Sequence, residues 1–243
     1  LTESYSTRDH TEKMISFYSP NSVQSMEKEI TINPSELEIK NMEIPGDISK
    51  ASFLIAYACL MPGADVLFES ILINPRRMGF INTLKRMGAN ITTENKRIKY
   101  GELVGDINAK YSSRLKNTHV SNQNVRDMID EIPILSVVAA LSKGIMTISG
   151  LSELKLKESN RILAIASNLK AMGCDVRENN NSIMIKGQNY LYNTNITTFS
   201  DHRIAMAFHI ASFFAKHTMI LDNSECIKVS FPDFFDKLEE IRT

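Results

Sequence analysis

Three short charged clusters and a lone lysine in this chain carry the residue types that move protons and grip anions. Asp130-Glu131 stands before one apolar stretch and Asp201-His202-Arg203 opens another. Between them, Lys157-Glu158-Ser159-Asn160-Arg161 places an ammonium, an acid and a guanidinium within one turn or two. Lys228 stands alone before Ser230-Phe231-Pro232, and Arg77 lies at a comparable joint earlier in the chain. Arginine grips carboxylate or phosphate through two parallel hydrogen bonds, which lysine cannot do. Free acids beside such cations suit proton transfer. Each cluster also has a plainer reading. Glu158 and Arg161, three apart at a helix start, can pair on one face, and Glu158 suits the positive end of the helix dipole. Asp201 or Ser200 is a credible helix cap. Asp130 and Glu131 read as one cap and one free acid, or as two solvated acids. A lone Lys228 on a loop reads as solvated.

The elements that position these clusters are written three times. FLIAYACLMPGADVLFESI is followed by NPRRMGFINTLKRMGANI, ILSVVAALSKGIMTISGL by KESNRILAIASNLKAMGCDV, and AMAFHIASFFAKHTMILDNS by SFPDFFDKLEEI. Each copy pairs an apolar helix with a strand and then an amphipathic helix. A repeated unit must bury its apolar face against its siblings. Superposed copies put the charged joints at equivalent places. Helix N-termini, with orphan N–H groups and added Arg and Lys, then meet at one end and favour anionic ligands.

The pattern predicts helices over 51–60, 76–87, 132–142, 158–172, 202–215 and 232–241. It predicts strands over 66–71, 145–149, 174–178, 182–186 and 218–222. Ser49 is expected to cap the first of these helices. Asp9-His10-Thr11-Glu12 has the spacing of a capping box for a helix reaching about Tyr18. Ile30, Ile32, Leu37 and Ile39 suggest two short strands. Residues 104–127 read as a polar surface connection.

Bulk properties narrow the class. The chain has 243 residues, 43% of them hydrophobic, enough for one large domain or two small ones. Lys plus Arg and Asp plus Glu both total 28, so nothing favours a general nucleic-acid binder. Cys59, Cys174 and Cys226 are far apart and lack ligand spacing, which argues against a metal site or a disulfide framework and for thiols in a reducing cytoplasm. No apolar run reaches the roughly 18 residues of a membrane span. The polar N-terminus lacks a signal-peptide core. A start at Leu1, within what reads as mid-fold sequence, suggests a fragment of a longer chain.

Seven motifs in order carry a resemblance: TRDHTE (7–12), PGDIS (45–49), NPRR-MG (74–79), DEIP (130–133), KESNR (157–161), DHR (201–203) and SFPDFF (230–235). Together they resemble the C-terminal portion of the EPSP synthase (3-phosphoshikimate 1-carboxyvinyltransferase) family, over essentially the whole chain. The resemblance implies an α/β (α+β) fold, an inside-out α/β barrel-like domain of three βαβαββ-type units with buried helices. Residues 44–243 would be the C-terminal enolpyruvyl transferase domain and 1–43 the remnant of the N-terminal, shikimate-phosphate-side domain. The implied reaction joins phosphoenolpyruvate to the 5-hydroxyl of shikimate 3-phosphate, in the shikimate pathway of aromatic amino acid biosynthesis, with no metal or organic cofactor. Asp130 would be the base and Glu158 the proton-transfer acid. Lys157, Arg161, Arg203 and Lys228 would hold phosphoenolpyruvate and its leaving phosphate, with His202 beside them among the substrate-binding residues. Arg8 would reach the shikimate phosphate. Departures are Val229 between Lys228 and Ser230, Lys50 after PGDIS, and Asn160 in place of a common Asp. With the N-terminal half of the cleft missing, the chain alone is expected to be inactive. Competing readings are a sister transferase acting on a nucleotide sugar and a silent binding or folding partner; the balanced charge weighs against an RNA-processing enzyme on a similar scaffold.

Overall fold

Apolar helices sit at the centre because their sequences offer no polar face to water. The computed structural model describes every residue except Ser4, Ser6, Glu27, Ile39, His217, Thr218 and Thr243. The first segment holds α1 (His10–Tyr18) and the antiparallel pair β1 (Val23–Met26) and β2 (Glu29–Ile32). The first unit follows with α2 (Ile48–Leu60), β3 (Asp65–Leu72), α3 (Gly79–Arg86), β4 (Asn90–Lys99) and β5 (Glu102–Lys110). The second has β6 (His119–Val120), α4 (Asn122–Arg126), α5 (Ile132–Ala140), β7 (Ile145–Ser149), α6 (Arg161–Ala171), β8 (Val176–Glu178) and β9 (Ser182–Lys186). The third is reduced to β10 (Asn195–Ile196), α7 (His202–Ser212), β11 (Ile220–Leu221) and α8 (Phe234–Glu240).

The expected α/β fold with buried helices is what the structure shows. In α2 only Lys50 and Leu60 escape full burial, and every residue of α5 is buried. The helices α2, α5 and α7 pack on one another, one from each unit. Three sheets lie around them, ordered β3–β5–β4, β6–β7–β9–β8 and β10–β11. They remain separate and open, so among the described residues no barrel closes. Among these residues, no helix is long and apolar enough to cross a membrane.

Several local expectations are corrected. Residues 104–110, read as surface connection, form most of β5, the central strand of its sheet. Val104, Ile107 and Ala109 are fully buried. Asp106 disguises the strand, but its carboxylate is satisfied internally. It accepts hydrogen bonds from Ser70 N (2.8 Å) and Asn95 Nδ2 (2.7 Å). Those two residues have positive φ, at the register shifts of the two flanking strands, so one acid clasps both bulges. In the first segment, residues 33–38 form no strand, since Pro34 cannot donate to a ladder. Ile39 lies outside the described residues, and the partner strand is instead Val23–Met26. The β11 strand is shorter than 218–222, and Thr218 is outside the described residues.

The caps differ too. Asp47, not Ser49, caps α2, accepting from Ser49 N at 2.9 Å. Asp9 precedes α1 without a side-chain cap bond, because its carboxylate goes to Asn74 Nδ2 at 2.6 Å and Lys13 Nζ at 3.1 Å. Neither Asp130 nor Glu131 caps α5. The predicted helix over 158–172 begins only at Arg161, capped by Asn160, while Ser152–Leu156 is a 3₁₀ helix. The segment 76–87 likewise splits into a 3₁₀ turn, Pro75–Arg77, and α3.

One glycine is required by proximity rather than by φ. A Cβ on Gly187 would lie 1.6 Å from the Ser142 carbonyl oxygen. Gly187→Ala is therefore expected to lower unfolding stability by about 3 kcal/mol, the upper range for overpacking. An unchanged urea midpoint would mean that the α5–β7 connection yields freely.

Candidate active site

The N-terminal ends of α2, α5 and α7 meet, and their charged residues meet with them. Asp130 lies in a 3₁₀ turn, Ile129–Glu131, leading into α5, and is 8% exposed. Arg8 Nη2 donates to its Oδ2 at 2.7 Å. Arg161 Nη1 lies 3.6 Å from Oδ1, Lys157 Nζ 3.9 Å from Oδ1, and Arg203 Nη2 3.9 Å from Oδ2. Arg203 Nη1 also donates to the Asp130 backbone oxygen at 3.3 Å. Burial alone pushes this carboxyl up. The charge of Arg203, the hydrogen bond and charge of Arg8, and the charge of Lys157 outweigh burial and hold it at about 2.

Arg161 is the largest fully buried side chain. Its Nε donates to Asp201 Oδ2 at 2.8 Å and its Nη2 to Asp201 Oδ1 at 3.2 Å, a two-pronged grip. Nη2 also donates to Glu158 Oε2 at 2.6 Å. Asp201 in turn accepts from Ser159 Oγ (2.9 Å) and caps α7 through Arg203 N (2.9 Å). It thereby ties α6 to α7 and sets the base of Arg203. Arg161 Nη1 has no hydrogen-bond partner among the described residues and lies on the Asp130 side. Glu158 is half-exposed beside it. Next to Asp201, burial and then Arg203 push the His202 imidazole below its ordinary pKa, favouring the neutral ring.

The turn leading into α7 is strained. Phe199 and Ser200 have φ of 55° and 53°, a conformation costly for residues with a side chain. Asp222 clasps the turn by accepting from Thr198 N (2.9 Å) and Oγ1 (2.6 Å). That clasp fixes the turn immediately before Asp201 and Arg203.

Lys228 stays apart from this group. It is 56% exposed and pairs with Glu225 at 2.7 Å, one turn away on its own 3₁₀ helix, Glu225–Val229. A cavity of about 400 Å³ beside the ring is lined by Arg8, Arg76, Arg126 and Lys157, with Glu153 and Asp127 on its wall. A larger cavity, about 730 Å³, lies at Arg114, Lys143 and Gln188 and contains none of the clustered residues. Asp9, His10 and Glu102 bring possible metal-ligand atoms within 4.8 Å of one another. There the Lys13 ammonium, 3.1 Å from Asp9 and 3.4 Å from Glu102, already supplies the positive charge.

A profile of the family described as EPSP synthase (3-phosphoshikimate 1-carboxyvinyltransferase) matches residues 1–238. The chain belongs to the EPSP synthase family. A 3-phosphoshikimate 1-carboxyvinyltransferase of Thermodesulfovibrio yellowstonii is 39% identical over all of this chain and 56% of its own length. One from Persephonella marina is 38% identical over 99% of this chain and 56% of its own. The solved EPSP synthase of Acinetobacter baumannii superposes with a TM-score of 0.93 at 36% identity, covering 99% of this chain and 56% of that one. The enolpyruvyl transferase NikO of Streptomyces tendae shares the fold at a TM-score of 0.66 and 14% identity, covering 90% of this chain and 49% of that one. The chain thus spans just over half the length of these EPSP synthase relatives.

Of the residues that the EPSP synthase resemblance nominates, Arg8, Asp130, Lys157, Arg161 and Arg203 converge through direct ion pairs, and Glu158 joins through Arg161. His202 is beside them in sequence, and Lys228 is not drawn in. Sequence reasoning missed the clamp of Asp201 on Arg161, which spans 40 residues of chain. It also missed the contact of Ser49 with Glu131. The one signal for the clamp was an arginine, Arg161, beginning one helix and an acid, Asp201, capping another that turns out to be its neighbour.

Proposed function

We propose that this chain supplies one wall of a site that transfers the enolpyruvyl group of phosphoenolpyruvate to the 5-hydroxyl of shikimate 3-phosphate, releasing phosphate, as a step of aromatic amino acid biosynthesis. The observation that carries this reading is the single carboxylate, Asp130, ringed by four cations drawn from two separate stretches of chain and the segment before α1. A ring with that cation excess suits two substrates that together bring two phosphates and two carboxylates. Asp130 takes the 5-hydroxyl proton as that oxygen bonds to C2 of phosphoenolpyruvate. Glu158 gives a proton to the methylene carbon, making a methyl group in the tetrahedral intermediate. Loss of phosphate and of one methyl proton then restores the double bond. Arg161, Arg203 and Lys157 steady the negative charge that develops on the phosphate side. His202 and Lys228 are assigned to the phosphoenolpyruvate side with them, and Arg8 to the shikimate phosphate.

Asp130 held at about 2 is a weak base. Substrate anions would draw the surrounding cations away from it, and its affinity for a proton would rise when it is needed. Residues 1–43 are assigned to the neighbouring domain. No residue of α1 is buried, and of β1 and β2 none is fully buried, so the segment has no core of its own. The three cysteines are free, in keeping with a reducing cytoplasm, and burial pushes Cys59 and Cys174 up to about 12.

Substrates held from one side only lose the alignment that makes catalysis efficient. Phosphate release from phosphoenolpyruvate plus shikimate 3-phosphate is therefore expected only when this chain is combined with the N-terminal half of a relative. Release by the chain alone would refute a shared cleft. No release from halves shown to associate would refute the reaction, and a nucleotide-sugar acceptor or a silent partner role would replace it.

A further inference from the structure

Asp130 and Glu131 are consecutive residues of one 3₁₀ turn, Ile129–Glu131. Three residues per turn send successive side chains about 120° apart, so whatever fixes one fixes the aim of the other. The turn has no side-chain cap. Glu131 is its anchor: the residue is 1% exposed, and its Oε1 accepts a short hydrogen bond from Ser49 Oγ at the start of α2. The same Ser49 oxygen accepts from Arg77 Nη2 at 2.6 Å. Arg77 Nη1 lies 3.4 Å from His10 Nε2, and His10 Nδ1 lies 2.5 Å from Glu102 Oε1. With Nε2 accepting from Arg77, Nδ1 carries the proton given to Glu102.

These contacts close a loop. Arg8 grips Asp130 directly, and two residues on, His10 reaches Glu131 through Arg77 and Ser49. The chain crosses from α1 to the turn after β3, to α2 and to the entrance of α5. Neither the half-buried Arg77, which also lies 3.5 Å from Asp47, nor the buried Glu131 is fully satisfied: the buried atoms Arg77 Nε and Glu131 Oε2 have no hydrogen-bond partner among the described residues. Apolar side chains of similar volume would fill the same space at lower cost. A costly polar chain that ends one residue from the ring's central carboxylate points to a role in geometry.

We infer that Arg77 and Ser49 are positioning residues that, by pinning Glu131, set the rotation of the turn that aims Asp130. The inference rests on the reading of Asp130 as the base, and it is tested first without turnover. Carboxyl-carbon NMR of labelled aspartate follows the titration of Asp130 in this chain, amid Arg8, Lys157, Arg161, Arg203 and Glu131. Ser49→Ala is expected to raise its midpoint by about half a pH unit or more as the carboxylate swings away from its cations, and Ser49→Thr to restore it. Arg77→Lys keeps the charge without the fork, and gives the same rise if Ser49→Ala folds poorly. An unchanged Asp130 midpoint in folded Ser49→Ala or Arg77→Lys overturns the inference.

The second arm uses the chain combined with a relative's N-terminal half. Ser49→Ala is expected to lower kcat about tenfold while KM for phosphoenolpyruvate stays within about twofold, with Ser49→Thr recovering most of the rate. A loss confined to KM overturns the inference. Absence of turnover in the unaltered protein would sink the reaction reading alone, because the titration still decides whether Ser49 and Arg77 aim Asp130.

Discussion

Arg161→Ala is expected to cost about 3–5 kcal/mol of unfolding free energy, the range for removing one partner of a buried ion pair. Both partners here are fully buried: the side chains of Arg161 and Asp201 are each 0% exposed. Without the guanidinium, Asp201 keeps its cap bond to Arg203 N and its bond from Ser159 but loses the neutralising charge. Glu158 loses its 2.6 Å partner at the same time. Arg161→Lys rescues little, since one ammonium cannot reach Asp201 with two prongs and Glu158 with a third. Arg161→Met combined with Asp201→Asn is the informative companion. Asn retains an acceptor for the α7 cap, and the uncompensated charge is gone. The double variant is expected to recover about 2 kcal/mol relative to the sum of the single changes. Urea unfolding measures all of these. Simple additivity would mean that the two side chains do not act as a unit.

Asp130→Asn carries the second large effect, on rate and on pH dependence. In the chain combined with an N-terminal half, turnover is expected to fall about 10²–10⁴-fold, the usual contribution of a general base. Stability gives an independent reading. The folded carboxyl is held at about 2, against an ordinary 3.8. The depressed value means that the unfolded chain binds this proton more readily. Its contribution is fully present above pH 4 and is lost as pH falls towards 2. The amount is about 2 kcal/mol, an order of magnitude for a largely buried group. Asp130→Asn is expected to remove that part of the acid dependence and to leave Arg8, Lys157, Arg161 and Arg203 repelling one another at every pH. An acid-unfolding curve identical to that of the unaltered chain would show that the ring does not hold the carboxylate as the geometry requires.

Much of the fold was legible because burial leaves a periodic trace. The all-round apolar runs gave α2, α5 and α7, and alternation gave β7 and β9 at their observed limits. Where polar residues are satisfied inside the fold, the trace fails. Asp106 made β5 look like surface, since nothing in its neighbours reveals that Ser70 and Asn95 will turn towards it. Helix starts were blurred for a related reason. Ser49 and Asp9 are residue types that cap helices, yet here each spends its side chain on a distant partner.

The sequence by itself determined the threefold unit, the buried helices, the motifs that place the chain in its family, and the residue types available at each joint. These follow from local periodicity and spacing, which neighbouring residues impose on one another. Only the tertiary structure decided which joints meet. Packing α2, α5 and α7 side by side brings their N-terminal ends together. That closes Arg161 on Asp201, Glu131 on Ser49 and four cations on Asp130, and it leaves Lys228 with Glu225. Pairing across 27 to 122 residues depends on how the helices pack, and no local pattern encodes it.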